Sequence, residues 1–288
     1  GSSQIRELQK LVEWRRKFVD DGVRLTNRIT DVLKGYYPQV LEWFRDKNTL
    51  VFCDFLTQYP TLEAAQQAEP ETLNQFFISH RCRYTKTNSK RIEKIKSSIP
   101  LTNDRGIIEP SQMIVKALAL QLRTLLLSIE QLNQTIEQLF AQMPDADLFA
   151  ALPGAGEHLA PRLLLAFGEE RSRFSRAQDL LQYAGIAPVT ERSGKKDWVH
   201  WRWSCPKFLR QSFVEWAEQS RQHSFWAKAF YEAQKRKGKT HQEAIRALAF
   251  KWIRIIWRCW QDRKPYDEAK YLLALKKKRS PLVAQLAL

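Results

Sequence analysis

The sequence predicts a mostly α-helical protein in which a long helical hairpin is followed by a basic domain. Two segments with heptad spacing predict the hairpin, and a concentration of positive charge marks the domain. The 288 residues include 47 Lys and Arg against 31 Asp and Glu, a formal net charge of +16. Residues 151–288 hold 27 of these cations and only 13 of the acids. Such a field is typical of a protein that binds a polyanion.

The first long helix is predicted from Gln4 to about Lys34. Residues recur there at alternating steps of three and four, in a heptad seam that Arg15 and Gly22 interrupt. The seam positions are Leu8, Leu11, Arg15, Phe18, Gly22, Leu25, Ile29 and Val32. Tyr36-Tyr37-Pro38 ends this helix, and a compact helical insert is expected in the region of residues 37–110.

The second long helix is predicted from about Ser111 to Met143. Its seam follows steps of 3, 4, 3, 4, 3, 4 and 3 through Val115, Leu118, Leu122, Leu125, Ile129, Leu132, Ile136 and Leu139. Such a narrow stripe is typical of a coiled coil. It could pair with the first helix or with a second copy, and the periodicity leaves both open. We favour a hairpin stalk that also dimerises. No segment reads as an apolar run of membrane-spanning length, so no membrane partner is expected.

The basic domain is predicted to be helical with a small β-hairpin. Short runs rich in β-branched and aromatic residues, 187–192 and 198–203, flank Ser193-Gly194-Lys195-Lys196 and predict the hairpin. Helices are predicted over residues 147–152, 157–167, 176–183, 206–222, 224–237, 240–263 and 267–277.

The domain organisation follows from these breaks. Residues 1–3 resemble a tag remnant, residues 4–143 form the coiled-coil stalk with its insert, and residues 144–288 form the C-terminal domain. The four cysteines are far apart with no CxxC pair, which argues against a zinc site. With no signal peptide visible, we expect reduced thiols and a cytoplasmic, nucleoid-associated protein.

The turn Leu152-Pro153-Gly154-Ala155-Gly156 is the signature of a helix-hairpin-helix element. Glycine adopts left-handed dihedrals and lets a ligand approach the backbone. The following helix offers unpaired N–H groups and its positive dipole end to a phosphate. Gly154 and Gly156 are therefore candidate phosphate-binding positions. The alternative is a tight turn that binds nothing, and the charge of the domain favours the phosphate.

Ser193 is the candidate nucleophile. A serine hydroxyl attacks only when a base, a metal ion or strong cations activate it. Arg192, Lys195 and Lys196 surround it in the sequence and could stabilise a phosphate or its transition state. Taken alone, Ser193-Gly194 is more simply a favourable turn.

Two neighbours have weaker claims to the chemistry. Ser204 precedes Cys205-Pro206 and the helix that holds Arg210, where an N-cap serine belongs. His200, on the opposite strand, is a candidate to assist Ser193. The acidic residues form no close pair next to the serine, so no metal site is predicted in this chain. Eight of the ten tryptophans follow residue 197, and helical spacing assigns most of them to the core.

A series of short motifs resembles one known family. It runs from Leu152-Pro153-Gly154-Ala155-Gly156 and Ala160 through Arg173-Phe174, Leu181–Pro188 and Ser193-Gly194 to Ser204 and Leu209-Arg210. In this order the series is similar to the C-terminal domain of the DEDD transposases of insertion-sequence family one-ten, which include the pilin-gene invertases. Residues 4–143 also resemble the family's middle region.

The resemblance implies a function for the residues above. It implies DNA recombination guided by a structured bridge RNA, by dimers that pair into tetramers. It implies that the serine of the Ser-Gly motif, here Ser193, forms a covalent link to a DNA end. An N-terminal RuvC-like domain with four Mg²⁺-binding acidic residues is implied as well. We expect this chain to be a fragment without that domain, and we expect it to bind no Mg²⁺ by itself.

The sequence analysis therefore predicts part of a transposase, inactive alone. Ser193 is its catalytic residue, and the nucleic-acid contacts are Gly154, Gly156, Arg192, Lys195, Lys196, Arg202, Lys207 and Arg210. Mg²⁺ is expected only with the RuvC-like domain. One alternative is a non-catalytic module that binds DNA or RNA. Another is an oligomerisation protein built on the 115–139 seam, whose charge is incidental.

Overall fold

A computed structural model describes residues 1–194, 196–200 and 202–282. The chain divides into two compact units. The first unit is formed by Trp14–Leu132, and the second unit by Gly1–Glu13 together with the chain from Asn133 onward. The predicted fold class is confirmed, because the described residues form helices and one two-stranded antiparallel sheet.

The two long helices are α1, Ser3–Tyr36, and α7, Arg105–Ala141. Helix α7 begins six residues before the predicted start. The reason is Asp104, whose carboxylate accepts a hydrogen bond from the backbone N–H of Gly106 at 2.8 Å and so satisfies the first turn. Pro110 lies within this early part of α7 without ending it.

Five short helices form the insert of the first unit: α2 Val40–Trp43, α3 Leu50–Gln58, α4 Leu62–Gln67, α5 Pro70–Ser79 and α6 Thr85–Ser97. Thr49 and Thr61 cap α3 and α4 by accepting backbone N–H groups of Phe52 and Ala64. The core is aromatic, with the ring of Phe55 contacting several other rings within about 6 Å.

Helices α1 and α7 pack against each other inside this unit. A side chain added at Gly22 would lie 3.7 Å from Leu125 and 3.9 Å from Leu122, so glycine lets the helices approach there. Val115 and Leu122 of the predicted α7 seam are fully buried in the same core as Ile29 of α1. Of the two alternatives for the seam, the intramolecular hairpin is therefore the one present in this chain.

The opposite side of α7 is apolar and exposed. Met113, Leu120 and Leu127 follow one another at steps of seven, and their side chains are 69%, 50% and 45% exposed. Among the described residues, α7 is the one helix long and apolar enough to cross a membrane by length and composition, although 22% of that window is buried in the fold. The sequence contains no unbroken apolar run of this length; α7 reaches the mean hydropathy of a spanning helix with uncharged Gln, Ser and Thr between its apolar residues.

The second unit contains the remaining elements close to their predicted bounds. They are α8 Ala146–Ala150, α9 Gly156–Phe167, a 3₁₀ turn Arg171–Arg173, α10 Ala177–Tyr183, β1 Val189–Ser193, β2 Lys196–His200, α11 Lys207–Ser220, α12 Phe225–Arg236, α13 His241–Gln261 and α14 Glu268–Lys277. Helix α13 starts with a capping box of Thr240 and Glu243, and at the start of α10 the carboxylate of Asp179 accepts from the backbone N–H of Arg176 at 3.0 Å.

Four fully buried tryptophans form the centre of this unit: Trp216, Trp226, Trp252 and Trp260. The Trp252 ring lies 4.7 Å from that of Trp216 and 4.5 Å from that of Trp226. The indole N–H of Trp252 donates to the hydroxyl of Ser220 at 2.8 Å, so its polar group is satisfied. The core role predicted for most of these tryptophans is confirmed for the four.

Candidate nucleic-acid interface and hairpin serine

The glycine turn before α9 packs on the C-terminal end of α11. Trp216 donates its indole N–H to the carbonyl of Pro153 at 3.0 Å. Gly154 has a φ of +74°, and a Cβ there would lie 3.0 Å from the backbone of Gln219 and from His223. The close backbone approach at Gly154 is therefore made to the protein itself.

Gly156 differs from Gly154 in its surroundings. It has a φ of +55° at the start of α9, and a Cβ there would meet no described atom within 4 Å. The residue before it, Ala155, provides no side-chain cap for the helix. The room for a phosphate thus lies at Gly156, although Glu157 adds a negative charge in the same turn.

Ser193 lies at the end of β1, at the tip of the hairpin. It pairs with Lys196 across the turn, next to Gly194 with a φ of +60°. The residue is exposed, and its hydroxyl has no hydrogen-bond partner in the part of the chain that the structure describes. The predicted hairpin and the position of its serine are confirmed. Lys195 lies outside the described residues.

The strand alternation separates Arg192 from Ser193. Successive side chains of a strand point to opposite faces, so Ser193 shares its face with Glu191 and the paired Trp198, while Arg192 points to the other face. The sequence neighbour of the serine is therefore not its neighbour on the same face.

His200 cannot act as the base for Ser193, contrary to the sequence interpretation. It pairs with Val189, four residues along β1 from Ser193, which is about 13 Å at the rise of a strand. Its Nε2 lies 2.8 Å from a carboxylate oxygen of Glu191, and its ring lies 4.9 Å from that of Trp198. The strand pairing places His200 opposite the start of β1, whereas Ser193 lies at the end of β1.

The segment between β2 and α11 is tied to the end of α10. Gly185 has a φ of +68°, and a Cβ there would lie 2.8 Å from the Cβ of Cys205, still nearer to its Sγ, and 3.6 Å from Arg210. Arg210 donates to the carbonyl of Arg202 at 3.2 Å. The structure thus brings Arg202 and Arg210 together.

Helix α11 begins at Lys207, and Pro206 is its N-cap residue. The capping role predicted for Ser204 is wrong, because that residue lies two positions before the cap and is exposed. The first turn of α11 contains no acidic residue and no side-chain cap. Lys207 is exposed there, so this helix start combines a positive dipole end with a cation.

The sequence analysis missed a buried ion pair behind these elements. Arg162 of α9 donates to Glu215 at 2.6 Å and to the hydroxyl of Ser212 at 2.9 Å, and its guanidinium lies over the ring of Phe208. The side chain of Arg162 is 8% exposed. A charged residue inside the apolar run 159–167 was the signal for a buried partner.

Exposed aromatic residues lie around the hairpin. Trp198 is 63% exposed and Trp203 is 78% exposed, so their indole faces are accessible for stacking. Trp201 lies outside the described residues. Among the residues that the structure describes, no group of three or more His, Cys, Asp or Glu side chains could hold a metal ion.

In a comparison with known protein families, residues 146–232 match the profile described as "Transposase IS116/IS110/IS902 family". The chain is 29% identical over 252 residues to the "Mini-circle putative transposase for IS117" of Streptomyces coelicolor, covering 86% of this chain and 61% of that protein. It is 25% identical over 268 residues to the "Insertion element IS116 uncharacterized 44.8 kDa protein" of Streptomyces clavuligerus, covering 91% and 65%.

A third similar protein is the "Pilin gene-inverting protein" of Moraxella bovis, 32% identical over 152 residues, which cover 49% of this chain and 46% of that protein. The chain spans 61% of the IS117 protein and 65% of the IS116 protein, which is less than two thirds of either.

Proposed function

We propose that the chain belongs to the IS116/IS110/IS902 family of transposases, whose profile matches residues 146–232, and that the longer protein cuts and joins DNA with Ser193 as the nucleophile. The observation that carries this proposal is the position of Ser193, exposed at the tip of a hairpin in the basic unit. Ser193 also lies within residues 146–232, which match the family profile, and the motifs around it resemble those of the family.

The proposed step is a transesterification. The Oγ of Ser193 attacks the phosphorus of a DNA phosphodiester, a new P–O bond forms, and the bond to one sugar oxygen breaks. The serine proton leaves to a base, and the released sugar oxygen takes up a proton. A hydroxyl of a second DNA end then attacks the same phosphorus and regenerates the serine, so the bond energy is conserved.

Cations of this unit would stabilise the charge on the phosphate. Lys195 and Lys196 follow Ser193 in the sequence, and Lys207 and Arg210 lie in the first turn of α11. Arg192 points to the other face of β1, from which it would contact the DNA beside the phosphate under attack. Charge-assisted hydrogen bonds from such groups stabilise phosphate oxygens more strongly than neutral donors do. The protein backbone at Gly156 would contact a phosphate of the DNA, and Arg202 is the remaining proposed contact.

Mg²⁺ does not fit the residues present, because the described part of the chain has no cluster of acidic or other ligands for it. We propose that a RuvC-like domain of the longer protein holds the ion, and that a structured guide RNA selects the DNA.

The test is covalent trapping by the longer protein on a suicide DNA substrate. We expect an adduct with the wild type and none with Ser193→Ala. Ser204→Ala is the matched control, because Ser204 is also exposed and lies eleven residues later. An adduct that survives Ser193→Ala and disappears in Ser204→Ala would move the nucleophile to Ser204. Loss in neither variant would refute serine chemistry at both positions.

The runner-up is a non-catalytic module that binds nucleic acid. It predicts that Ser193→Ala leaves binding and any adduct unchanged. On duplex DNA, phosphate binding weakens with salt at a log–log slope of about −0.9 per phosphate neutralised. An oligomerisation protein with incidental charge would show no such slope, since association through an apolar seam responds little to salt.

We propose further that a second copy of the chain covers the exposed stripe Met113, Leu120 and Leu127. Its spacing of seven is that of a coiled-coil face, and it lies on the side of α7 opposite the buried seam. Such homodimers would be the unit from which tetramers assemble.

Sedimentation equilibrium of Leu120→Glu tests this proposal, with Gln121→Glu as the matched control. Both positions are exposed and gain one negative charge, but they point about 100° apart around the helix. We expect a dimer for the wild type and for Gln121→Glu and a monomer for Leu120→Glu. A monomeric wild type, or equal behaviour of both variants, would overturn it.

A further inference from the structure

A cleft of about 1280 Å³ opens within the second unit, away from the tip of the hairpin. Residues of α12, α13, α14 and the end of β2 line it. One face of α13 contributes the apolar residues Ala247, Phe250 and Ile255. Both α13 and α14 lie outside residues 146–232, the segment that matches the family profile. The cleft is therefore a feature that neither the motifs nor the family match assigned.

Cations dominate the lining of the cleft. They come from α13, from α14 and from the loops around them: Lys239, Arg246, Lys251, Arg254, Arg258, Lys264, Lys270 and Lys278. The lining carboxylates are Glu243, Asp262 and Asp267. Eight positive groups thus face three negative ones.

The three carboxylates are already engaged. Glu243 accepts from the backbone N–H and hydroxyl of Thr240, both at 2.8 Å, and Asp267 accepts from the backbone N–H of Lys270 at 3.0 Å. Asp262 accepts from Arg258 at 2.8 Å. Two of these acids therefore offset helix N-termini, and the field of the cleft stays positive.

Two of the cations are partly withdrawn from water. Arg246 and Lys251 are half-buried, and Lys251 Nζ lies 5.0 Å from the centre of the Phe230 ring. Burial lowers the pKa of both groups. For Arg246 the carboxylate of Glu243 acts in the opposite direction and Arg210 lowers the pKa, and Arg254 lowers the pKa of Lys251 further. An anionic ligand would offset the repulsion between neighbouring cations of the cleft.

We propose that this cleft binds a single-stranded segment of nucleic acid, with phosphates on the cations and bases on the apolar lining. A duplex keeps its base faces stacked inside and would leave Phe250 and Ile255 without a partner. A single strand exposes base faces, which contact apolar and aromatic side chains without a sequence requirement. The proposal rests on the proposed function only in that the chain acts on nucleic acid.

The cleft and the candidate nucleophile lie at opposite ends of one hairpin. Val199 and His200 line the cleft, whereas Ser193 pairs with Lys196 at the tip. Four residues of β1 separate Val189, the partner of His200, from Ser193, a distance of about 13 Å. The cleft is thus a second site, which holds a strand beside the hairpin rather than the phosphate under attack.

The test measures binding of labelled ten-nucleotide strands of RNA and of DNA to the 288-residue chain by fluorescence anisotropy over a salt series. The variant is Arg254→Ala/Arg258→Ala, two exposed cations of the cleft. The control is Lys228→Ala/Arg236→Ala, which removes two exposed charges of α12 that do not line the cleft.

We expect the cleft variant to bind both strands at least tenfold more weakly, with a salt slope reduced by about 1.4, the value for two phosphates on a single strand. The control should stay within twofold of the wild type. Equal losses in both variants would overturn the proposal, because binding would then be spread over the surface. Displacement of the strand by poly-glutamate at equal charge concentration would also overturn it, in favour of an acidic peptide.

The two proposals fail separately. Ser193→Ala should bind the strands as the wild type does, because Ser193 does not line the cleft. A Ser193→Ala protein that still forms the DNA adduct, beside a cleft variant that loses the strands, would refute the nucleophile and support the cleft. If Ser193→Ala loses the DNA adduct but Arg254→Ala/Arg258→Ala binds the strands as the wild type does, the cleft proposal alone is refuted.

Discussion

Replacement of Gly185 by alanine should destabilise the second unit through a steric conflict with the segment that precedes α11. Gly185 has a φ of +68°, a conformation that an L side chain adopts at a cost of about 1 to 2 kcal/mol. The new Cβ would also lie 2.8 Å from the Cβ of Cys205, closer than two carbon atoms can approach without movement. Such overpacking costs about 1 to 3 kcal/mol.

The free energy of unfolding should therefore fall by about 2 to 5 kcal/mol in Gly185→Ala. Gly194→Ala is the matched control, because Gly194 has a similar φ of +60° but no described atom within 4 Å of the added carbon. It should lose only the conformational part, about 1 to 2 kcal/mol. The difference between the variants isolates the contact with Cys205.

Urea unfolding followed by tryptophan fluorescence measures this difference, because the fully buried tryptophans all lie in the second unit. Cys205→Ala in the Gly185→Ala background should recover part of the loss by removing the sulfur. Equal stabilities of Gly185→Ala and Gly194→Ala would refute the reasoning. It would mean that the Cys205 segment moves away freely, and that Gly185 does not fix the position of Arg202 and Arg210.

Two further predictions concern titratable groups. Burial raises the pKa of the Cys53 thiol to about 12. This thiol should therefore stay unlabelled by a thiol reagent at pH 8 in the folded protein and react fully in urea. Rapid labelling of the native protein would contradict its burial. Hydrogen bonds from Thr240 lower the pKa of Glu243, so its carboxylate should stabilise the fold above the unfolded pKa and lose this effect as the pH falls through the folded pKa. The difference in stability between wild type and Glu243→Gln should thus be constant near neutral pH and vanish in acid; a constant difference down to pH 2 would exclude this origin.

Much of the fold was predictable because its signals are local. Heptad spacing and proline breaks predicted the long helices, and the Ser193-Gly194 turn between β-prone runs predicted the hairpin. The start of α7 was placed too late, because the heptad pattern begins near Ser111 while Asp104 caps the helix upstream. The capping role of Ser204 failed for a similar reason, since α11 begins after Pro206.

The candidate site was predictable only where its residues are close in the sequence. Ser193 was found because it lies in a turn between two strands. The relation of His200 to Ser193 was missed, because it depends on which residues pair across the strands. The partner of Gly154 was missed as well, because the contact with Gln219 spans 65 residues of sequence.

By itself, the sequence determined the helical class, the charge of the basic unit, the resemblance to a transposase family and the hairpin that carries Ser193. These depend on periodicity, composition and short motifs, which are properties of neighbouring residues. Only the tertiary structure decided that Gly154 packs against the protein, that His200 pairs at the far end of β1 from Ser193, and that the cations of α13 line a cleft. Those outcomes depend on which distant elements pack together, because a side chain gains its neighbours from the fold as a whole.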